Sequence, residues 1–132
     1  MNRVLAVDDS HVIRRLVEVS LQQLNLDVET AASGVEACEL LRRTIPDMLI
    51  LDLGLPDMSG WDVIDFVREE RALDGLPVVM LTGYSDASDR DRADDAGVVR
   101  YLVKPFRPAD LRRAVLDILH ATDDQLGIVG PA

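Results

Sequence analysis

A short run of apolar residues, Met48 to Leu51, is followed directly by the acidic residue Asp52. No polar residue alternates with the apolar ones, so a strand here would be buried on both faces, as strands are in a parallel sheet covered by helices. The segment from Gly54 to Gly60 contains two glycines, a proline and a serine, which favour a turn. The sequence therefore predicts that Asp52 lies at the carboxyl end of a buried strand, where ligands collect in open parallel sheets.

A pattern of strand followed by helix repeats five times along the chain. The predicted strands cover residues 3–7, 27–31, 48–51, 76–81 and 100–103. Ser10 and Ser33 are expected to cap the first and second helices, and Gly97 to end the fourth. The fourth helix, 86–96, has only alanines as apolar residues, so we expect it to be weakly attached. The alternation predicts an α/β fold, a doubly wound parallel sheet with right-handed crossovers and helices on both faces.

The charge and the composition of the chain disfavour several classes of function. The 132 residues are enough for one domain, and 24 acidic against 14 basic residues give a formal net charge of -10. Such a charge disfavours a broad contact with nucleic acid or with an anionic membrane. Cys38 is the only cysteine, which excludes an internal disulfide and favours the cytoplasm. The apolar stretches are too short for a signal-peptide core or a membrane span.

Polar residues stand at four of the predicted strand ends: Asp8 and Asp9, Asp52, Thr82 and Lys104. Two carboxylates about 4 Å apart repel each other by roughly 4 kcal/mol at an effective dielectric near 20, so three acids in one crevice need a cation. Oxygen ligands without His or Cys favour Mg²⁺, with Mn²⁺ as the alternative, over zinc. A carboxylate beside such an ion and a lysine is suited to attack a phosphoryl group and hold it as an acyl phosphate.

Simpler interpretations of these residues stay open. Asp52 could cap a strand end, and Asp8 with Asp9 could be an acidic pair favoured by the dipole of the first helix. Thr82 taken alone is an ordinary hydroxyl at the end of a strand. Trp61 is interpreted as a packing residue of the third helix.

Four motifs, each at a strand end, carry a resemblance to a known family. They are VDDS, LDLGLPDMSG, LTG and YLVKPF. Over residues 1–121 the chain resembles the receiver domain of two-component response regulators, the CheY-like fold of single-domain chemotaxis and sporulation regulators. The resemblance implies a flavodoxin-like sheet with strand order 2-1-3-4-5 and five helices. Residues 122–132 are interpreted as a flexible tail or the stub of a linker.

The resemblance also implies a role for each site residue. Asp52 would be the phosphoacceptor, and Mg²⁺ would be bound by Asp9, Asp52 and the backbone carbonyl of Gly54, with Asp8 acting through water. Lys104 would pair with the phosphoryl group.

Two further residues would carry the switch in this family. Thr82 would form a hydrogen bond to the phosphoryl group and move toward it, and Tyr101 would rotate from an exposed to a buried position. An alternative is that Tyr101 is a static aromatic residue of the fifth strand. The peptide bond Lys104–Pro105 is expected to be cis.

The partners follow from the resemblance. The phosphodonor would be a histidine kinase, a histidine phosphotransfer protein or a small acyl phosphate. The output would be a contact of the fourth helix, fifth strand and fifth helix with a protein, without direct binding of nucleic acid, and the chain would be a monomer or a weak dimer. The segment Val99-Arg100-Tyr101 lacks the acidic pair typical of receivers attached to winged-helix domains. We therefore expect a single-domain regulator that is no enzyme beyond its own phosphorylation and autodephosphorylation.

Three alternatives remain open from the sequence. The chain could be a fragment of a longer multidomain regulator. It could be a phosphatase with an aspartate nucleophile, although these enzymes normally carry a second acid where this chain has Gly54. It could also be a scaffold similar to receivers that is never phosphorylated, which the retention of all five site side chains argues against.

Overall fold

Five strands and five α-helices alternate in residues 2–83 and 87–125, the part of the chain described by the structure, a computed structural model. The strands are β1 Arg3–Val7, β2 Asp27–Ala31, β3 Met48–Asp52, β4 Val78–Thr82 and β5 Arg100–Val103. The helices are α1 His11–Gln22, α2 Gly34–Arg43, α3 Gly60–Glu69, α4 Ala87–Asp95 and α5 Pro108–Gln125. A single 3₁₀ turn, Arg71–Leu73, lies between α3 and β4.

The five strands form one parallel sheet in the order β2-β1-β3-β4-β5. This confirms the predicted fold class and strand order. In the register of the sheet, Asp52 is paired with Leu81, and Thr82 is paired with Val103. Because all strands run in the same direction, their carboxyl ends meet at one edge, where the polar residues follow.

The sheet is covered on both faces, which explains the composition of its central strands. Side chains of α1 and α5 pack on one face, and side chains of α2, α3 and α4 pack on the other. Every residue of β3 and β4 is buried, as predicted from the unbroken apolar runs. Strand β2, by contrast, lies at the edge of the sheet and has only Ala31 buried.

The helix ends follow the predicted capping residues. The hydroxyl of Ser10 accepts a hydrogen bond from the Ile13 N–H at 3.3 Å, and that of Ser33 accepts one from the Glu36 N–H at 3.2 Å. Gly97 has φ +77°, a conformation that glycine adopts without steric cost at the end of a helix. These three predictions are confirmed.

Several boundaries differ from the predicted ones, two of them by more than one residue. Strand β4 begins at Val78 and not at residue 76, because the Leu76 N–H bonds to Leu73 of the preceding turn and Pro77 has no N–H to donate. Helix α5 continues to Gln125, so the first four residues of the segment interpreted as a flexible tail, 122–125, are helical. The rest of the predicted tail, 126–132, lies outside the described residues, as does the predicted first residue of α4. Within the described part of the chain no helix has the length and hydropathy needed to span a bilayer.

Candidate functional site

A crevice at the carboxyl edge of the sheet brings together residues from β3, β4 and the segments that follow β1, β3 and β5. Its walls also include parts of the turn after β3 and the first turn of α3. The residues that line it are Asp9, Asp52, Leu53, Gly54, Ser59, Trp61, Thr82, Gly83 and Lys104. The strand ends therefore meet where the sequence predicts.

Three carboxylates form a cluster in this crevice. One oxygen from each of Asp8, Asp9 and Asp52 can be chosen so that all lie within 4.8 Å of one another. Asp8 and Asp52 are buried, at 2% and 4% exposure, whereas Asp9 is exposed. The Ser10 N–H donates a hydrogen bond to Asp8 Oδ1 at 2.9 Å, and this bond fixes the carboxylate at the end of β1.

Lys104 lies between the two buried acids. Its Nζ atom is 2.7 Å from Asp8 Oδ2 and 3.2 Å from Asp52 Oδ1. The backbone N–H of Lys104 donates to the carbonyl of Thr82 at 2.6 Å, and the Lys104–Pro105 peptide is cis. The ammonium group therefore compensates part of the negative charge of the carboxylate cluster.

The pKa values of Asp52 and Lys104 are both raised. Burial is the largest cause at Asp52, and the charge of Asp8 adds to it, while Lys104 and a hydrogen bond from the Gly54 backbone oppose the shift of this pKa. Burial by itself would lower the pKa of Lys104, but the hydrogen bond to Asp8 and the charges of both acids outweigh burial. The cluster thus holds charge that a single ammonium group does not balance.

The donor set fits a hard divalent cation. The three acids offer only carboxylate oxygens, and two of them are buried beside a single lysine. Magnesium and manganese prefer such oxygen ligands, whereas zinc prefers ligand sets with nitrogen or sulfur. Asp8, Asp9 and Asp52 could therefore hold a metal ion.

The turn after β3 folds back tightly on the strand end. Gly54 and Ser59 form an antiparallel bridge, and the Gly60 N–H donates to the Leu53 carbonyl at 2.9 Å. A Cβ atom at Gly60 would lie 2.6 Å from the carbonyl oxygen of Asp52, so only glycine permits this approach. Gly54 lines the crevice and has open space around its α-carbon.

Thr82 and Tyr101 lie on the neighbouring strands β4 and β5. Thr82 is buried in the wall of the crevice, at the end of β4. Tyr101 is half-buried and packs against the core between the sheet and helices α2 to α4. Its hydroxyl is buried and has no hydrogen-bond partner among the described residues.

Several residues near the site were not predicted from the sequence. The carboxylate of Asp57, in the turn after β3, accepts hydrogen bonds from the backbone of α2. Trp61 packs in the core as predicted but also lines the crevice, and the guanidinium of Arg92 lies 4.4 Å from the centre of its ring. These partners lie more than 20 residues apart in sequence, so no local pattern indicates them.

Comparisons with known proteins agree with this geometry. Residues 4–116 match the family model described as the response regulator receiver domain. The structure is similar to that of the chemotaxis protein CheY4 of Vibrio cholerae, with a TM-score of 0.84 and 35% identity over 89% of this chain and 98% of that one. A receiver domain protein (CheY-like) from Methanospirillum hungatei has a TM-score of 0.87 and 26% identity, covering 95% and 98% of the two chains.

Curated relatives include longer regulators. The chain is 36% identical over 121 residues to the probable transcriptional regulator ycf27 of Porphyridium aerugineum, and 35% identical over 123 residues to the DNA-binding response regulator MtrA of Mycolicibacterium paratuberculosis. These matches cover 92% and 93% of this chain but 49% and 53% of the relatives, so the chain spans about half the length of the curated relatives it matches. The family-model match covers most of the chain, and the chain belongs to the response regulator receiver domains of two-component signalling.

Proposed function

We propose that this receiver domain accepts a phosphoryl group on Asp52 and passes the signal on through a change at its surface. One observation carries the proposal: the buried carboxylate of Asp52 lies 3.2 Å from Lys104 Nζ, inside a cluster of three acids. A buried carboxylate between a lysine and a metal site can act as a nucleophile, because the lysine and the ion stabilise the acyl phosphate that it forms.

Asp9, Asp52 and the backbone carbonyl of Gly54 would bind Mg²⁺, with Mn²⁺ as the alternative and Asp8 acting through water. When bound, the ion would neutralise charge on the oxygens of the transferred phosphoryl group. Asp9 is the exposed member of the cluster and lines the crevice, so an ion entering from solvent could reach it.

The transfer needs little from the protein besides position and charge. An oxygen of Asp52 attacks the phosphorus of a phosphohistidine, so that an O–P bond forms as the N–P bond breaks, and the imidazole leaves with a proton taken from solvent or retained from the donor. Lys104 remains an ammonium, since its pKa is raised. Because its ammonium group already lies beside Asp52, it would donate a hydrogen bond to an oxygen of the new acyl phosphate.

The surface formed by α4, β5 and α5 is proposed as the output surface. Among the described side chains of α4 only Ala93 is buried, so little apolar area holds this helix in one position. Thr82 would move toward the phosphoryl group, and Tyr101 would rotate toward the space that Thr82 leaves. The change at Asp52 is thereby coupled to a weakly anchored helix.

The proposed phosphodonor is a sensor histidine kinase or a histidine phosphotransfer protein. The relatives named as DNA-binding or transcriptional regulators favour a second candidate for the output, in which this receiver controls an attached DNA-binding domain. In that case the expectations of a single domain and a protein target would apply to the receiver alone. The expected cytoplasmic location and the absence of direct nucleic-acid binding by the receiver stay predictions.

A phosphatase with an aspartate nucleophile is disfavoured by the residue two positions after Asp52. That residue is Gly54, which has no side chain to act as a general acid, and the space beside its α-carbon is open. A single stoichiometric phosphorylation is therefore expected, and not repeated turnover of a phosphomonoester.

Intact mass measured after incubation with acetyl phosphate and Mg²⁺ tests the proposal. The native chain should gain about 80 Da, the mass of one phosphoryl group, and Asp52→Asn should gain nothing. A chelator added beforehand should abolish the gain. A phosphorylated Asp52→Asn variant would contradict the assignment of Asp52.

A further inference from the structure

We propose that Asp57 is a positioning residue for the metal site, because it fastens the turn that carries Gly54 to the first turn of α2. The inference rests on the proposed role of the Gly54 carbonyl as a metal ligand. Asp57 itself does not line the crevice. It would therefore act on the ion only through the position of the turn.

Asp57 reaches across the molecule to the beginning of α2. Its Oδ1 atom accepts a hydrogen bond from the Gly34 N–H, and its Oδ2 atom accepts one from the Val35 N–H, both at 2.9 Å. The third N–H of the helix, that of Glu36, donates a hydrogen bond to Ser33 Oγ at 3.2 Å. The first three backbone donors of α2 are thus satisfied by two side chains, and the turn after β3 supplies the acceptor for two of them.

The neighbouring residue makes a second contact with the same helix end. Met58 packs so closely on Gly34 that a Cβ atom there would lie 2.3 Å from Met58 Cγ. Two consecutive side chains of the turn therefore contact the first residue of α2. Contacts of two kinds, one polar and one apolar, fix the turn in the same place.

The other end of the turn is fixed close to the metal site. Gly54 and Ser59 form a bridge across it, with Asp57 between them, three residues from Gly54. Movement of Asp57 away from α2 would be transmitted through this short closed turn to Gly54. The geometry of the Gly54 carbonyl would become less defined, while Asp8, Asp9 and Asp52 would stay in place.

The charge of Asp57 suits its position. A carboxylate at the amino-terminal end of a helix interacts favourably with the helix dipole. The two backbone hydrogen bonds from Gly34 and Val35 are the largest causes that hold the pKa of Asp57 below its usual value. The same two hydrogen bonds that fasten the turn therefore also favour the ionised form of Asp57.

Titration of the metal-free chain with Mg²⁺ tests the inference, with calorimetry or the fluorescence of Trp61 as the readout. Trp61 is the only tryptophan and lines the crevice. Residues that orient metal ligands typically change affinity by 10- to 100-fold, and Asp57→Ala should weaken Mg²⁺ binding by about tenfold because the acids remain. Asp57→Asn keeps one acceptor oxygen, so its affinity should lie between those of Asp57→Ala and the native chain.

Ser33→Ala is the matched control. It removes the other side-chain acceptor at the same helix end but no contact of the turn, so it should destabilise the fold while leaving the Mg²⁺ affinity within about twofold of the native value. Equal losses of affinity in Ser33→Ala and Asp57→Ala would overturn the inference, because helix stability alone would explain them. Native affinity in Asp57→Ala would also overturn it. A native chain that does not bind Mg²⁺ would instead contradict the proposed metal site and remove the basis of the inference.

Discussion

Two segments that follow neighbouring strands of the sheet differ in how firmly they are held. The turn after β3, residues 53–59, is closed by the Gly54–Ser59 bridge and fastened to α2 through Asp57. The capping box of Ser59 and Asp62 fixes the start of the next helix. Helix α4, which follows β4, buries only Ala93 among its described side chains.

Among the described residues, two arginine side chains contribute to the contact between α3 and α4: Arg68 of α3 and Arg92 of α4. Arg68 donates three hydrogen bonds to the carbonyls of Leu76, Ala96 and Gly97, at 3.0 to 3.2 Å. Arg92 covers the ring of Trp61 at 4.4 Å. Polar contacts of this kind exchange with water more easily than apolar burial does. The turn after β3 is therefore the rigid side, which holds the proposed metal ligand, and α4 is the movable side, which would transmit the signal.

The largest expected effect comes from a substitution that breaks the rigid side. In Gly60→Ala the new Cβ atom would meet backbone atoms of Asp52 and Leu53 at 2.6 and 2.9 Å, and backbone cannot yield as a side chain can. We expect a loss of about 3 kcal/mol in the free energy of unfolding, in spite of a gain of up to about 1 kcal/mol from helix propensity. Urea denaturation measures it.

Gly54→Ala is the control for this substitution in the same turn. No atom lies within 4 Å of a Cβ built at Gly54, so the stability should change by less than about 0.5 kcal/mol. Equal stability losses at the two positions would contradict the tight approach of Gly60 to the end of β3.

Arg68→Ala should loosen the movable side. Three backbone carbonyls lose their donor, and we expect the free energy of unfolding to fall by about 1 to 2 kcal/mol. Hydrogen exchange should accelerate at residues 93–98 and stay unchanged at 53–59. Arg68→Lys should give an intermediate result, because a single ammonium cannot span all three acceptors. Acceleration in both segments alike would argue that they are not independently held.

Arg92→Gln removes the cation from the Trp61 ring and keeps most of the length of the side chain. The expected loss of stability is smaller, about 0.5 to 1 kcal/mol, because the contact lies near the surface. Trp61 fluorescence should change in the variant even without Mg²⁺. An unchanged emission spectrum together with unchanged exchange in α4 would show that the contact does not hold the helix.

Between the two segments, Asp52 should make stability depend on pH. Its pKa is raised on folding, so the folded chain holds the proton more tightly, and this contribution to stability is lost as the pH rises from the ordinary aspartate value through the raised one. Asp52→Asn has no such loss. In metal-free buffer the stability of the variant relative to the native chain should therefore increase as the pH rises above about 4, the ordinary aspartate value. Thermal unfolding measures this difference in stability. A difference that stays constant with pH would contradict a raised pKa of Asp52.

Much of the fold could be predicted because its signals are local. The apolar run before Asp52, the serines that begin α1 and α2 and the glycine that ends α4 each depend on neighbouring residues alone. The predicted start of β4 is two residues too early because of the apolar residue Leu76. It is buried in the turn before the strand and not in the strand itself.

The attachments of the site could not be predicted in this way. Asp57 bonds to residues 22 and 23 positions earlier, and Arg68 bonds to carbonyls up to 29 positions later. An aspartate in a turn and an arginine on an exposed helix surface are common residues in such places. Their partners become apparent only when the sheet order has brought the segments together.

Hydrogen exchange of the native chain before and after phosphorylation, with Mg²⁺ present in both samples, tests most directly whether a charge change at Asp52 reaches α4. We expect a change of roughly fivefold or more in exchange across residues 87–101 and little change at 53–59, with no difference in Asp52→Asn. Unchanged protection across 87–101 in a sample shown by its mass to be phosphorylated would contradict the coupling of Asp52 to α4.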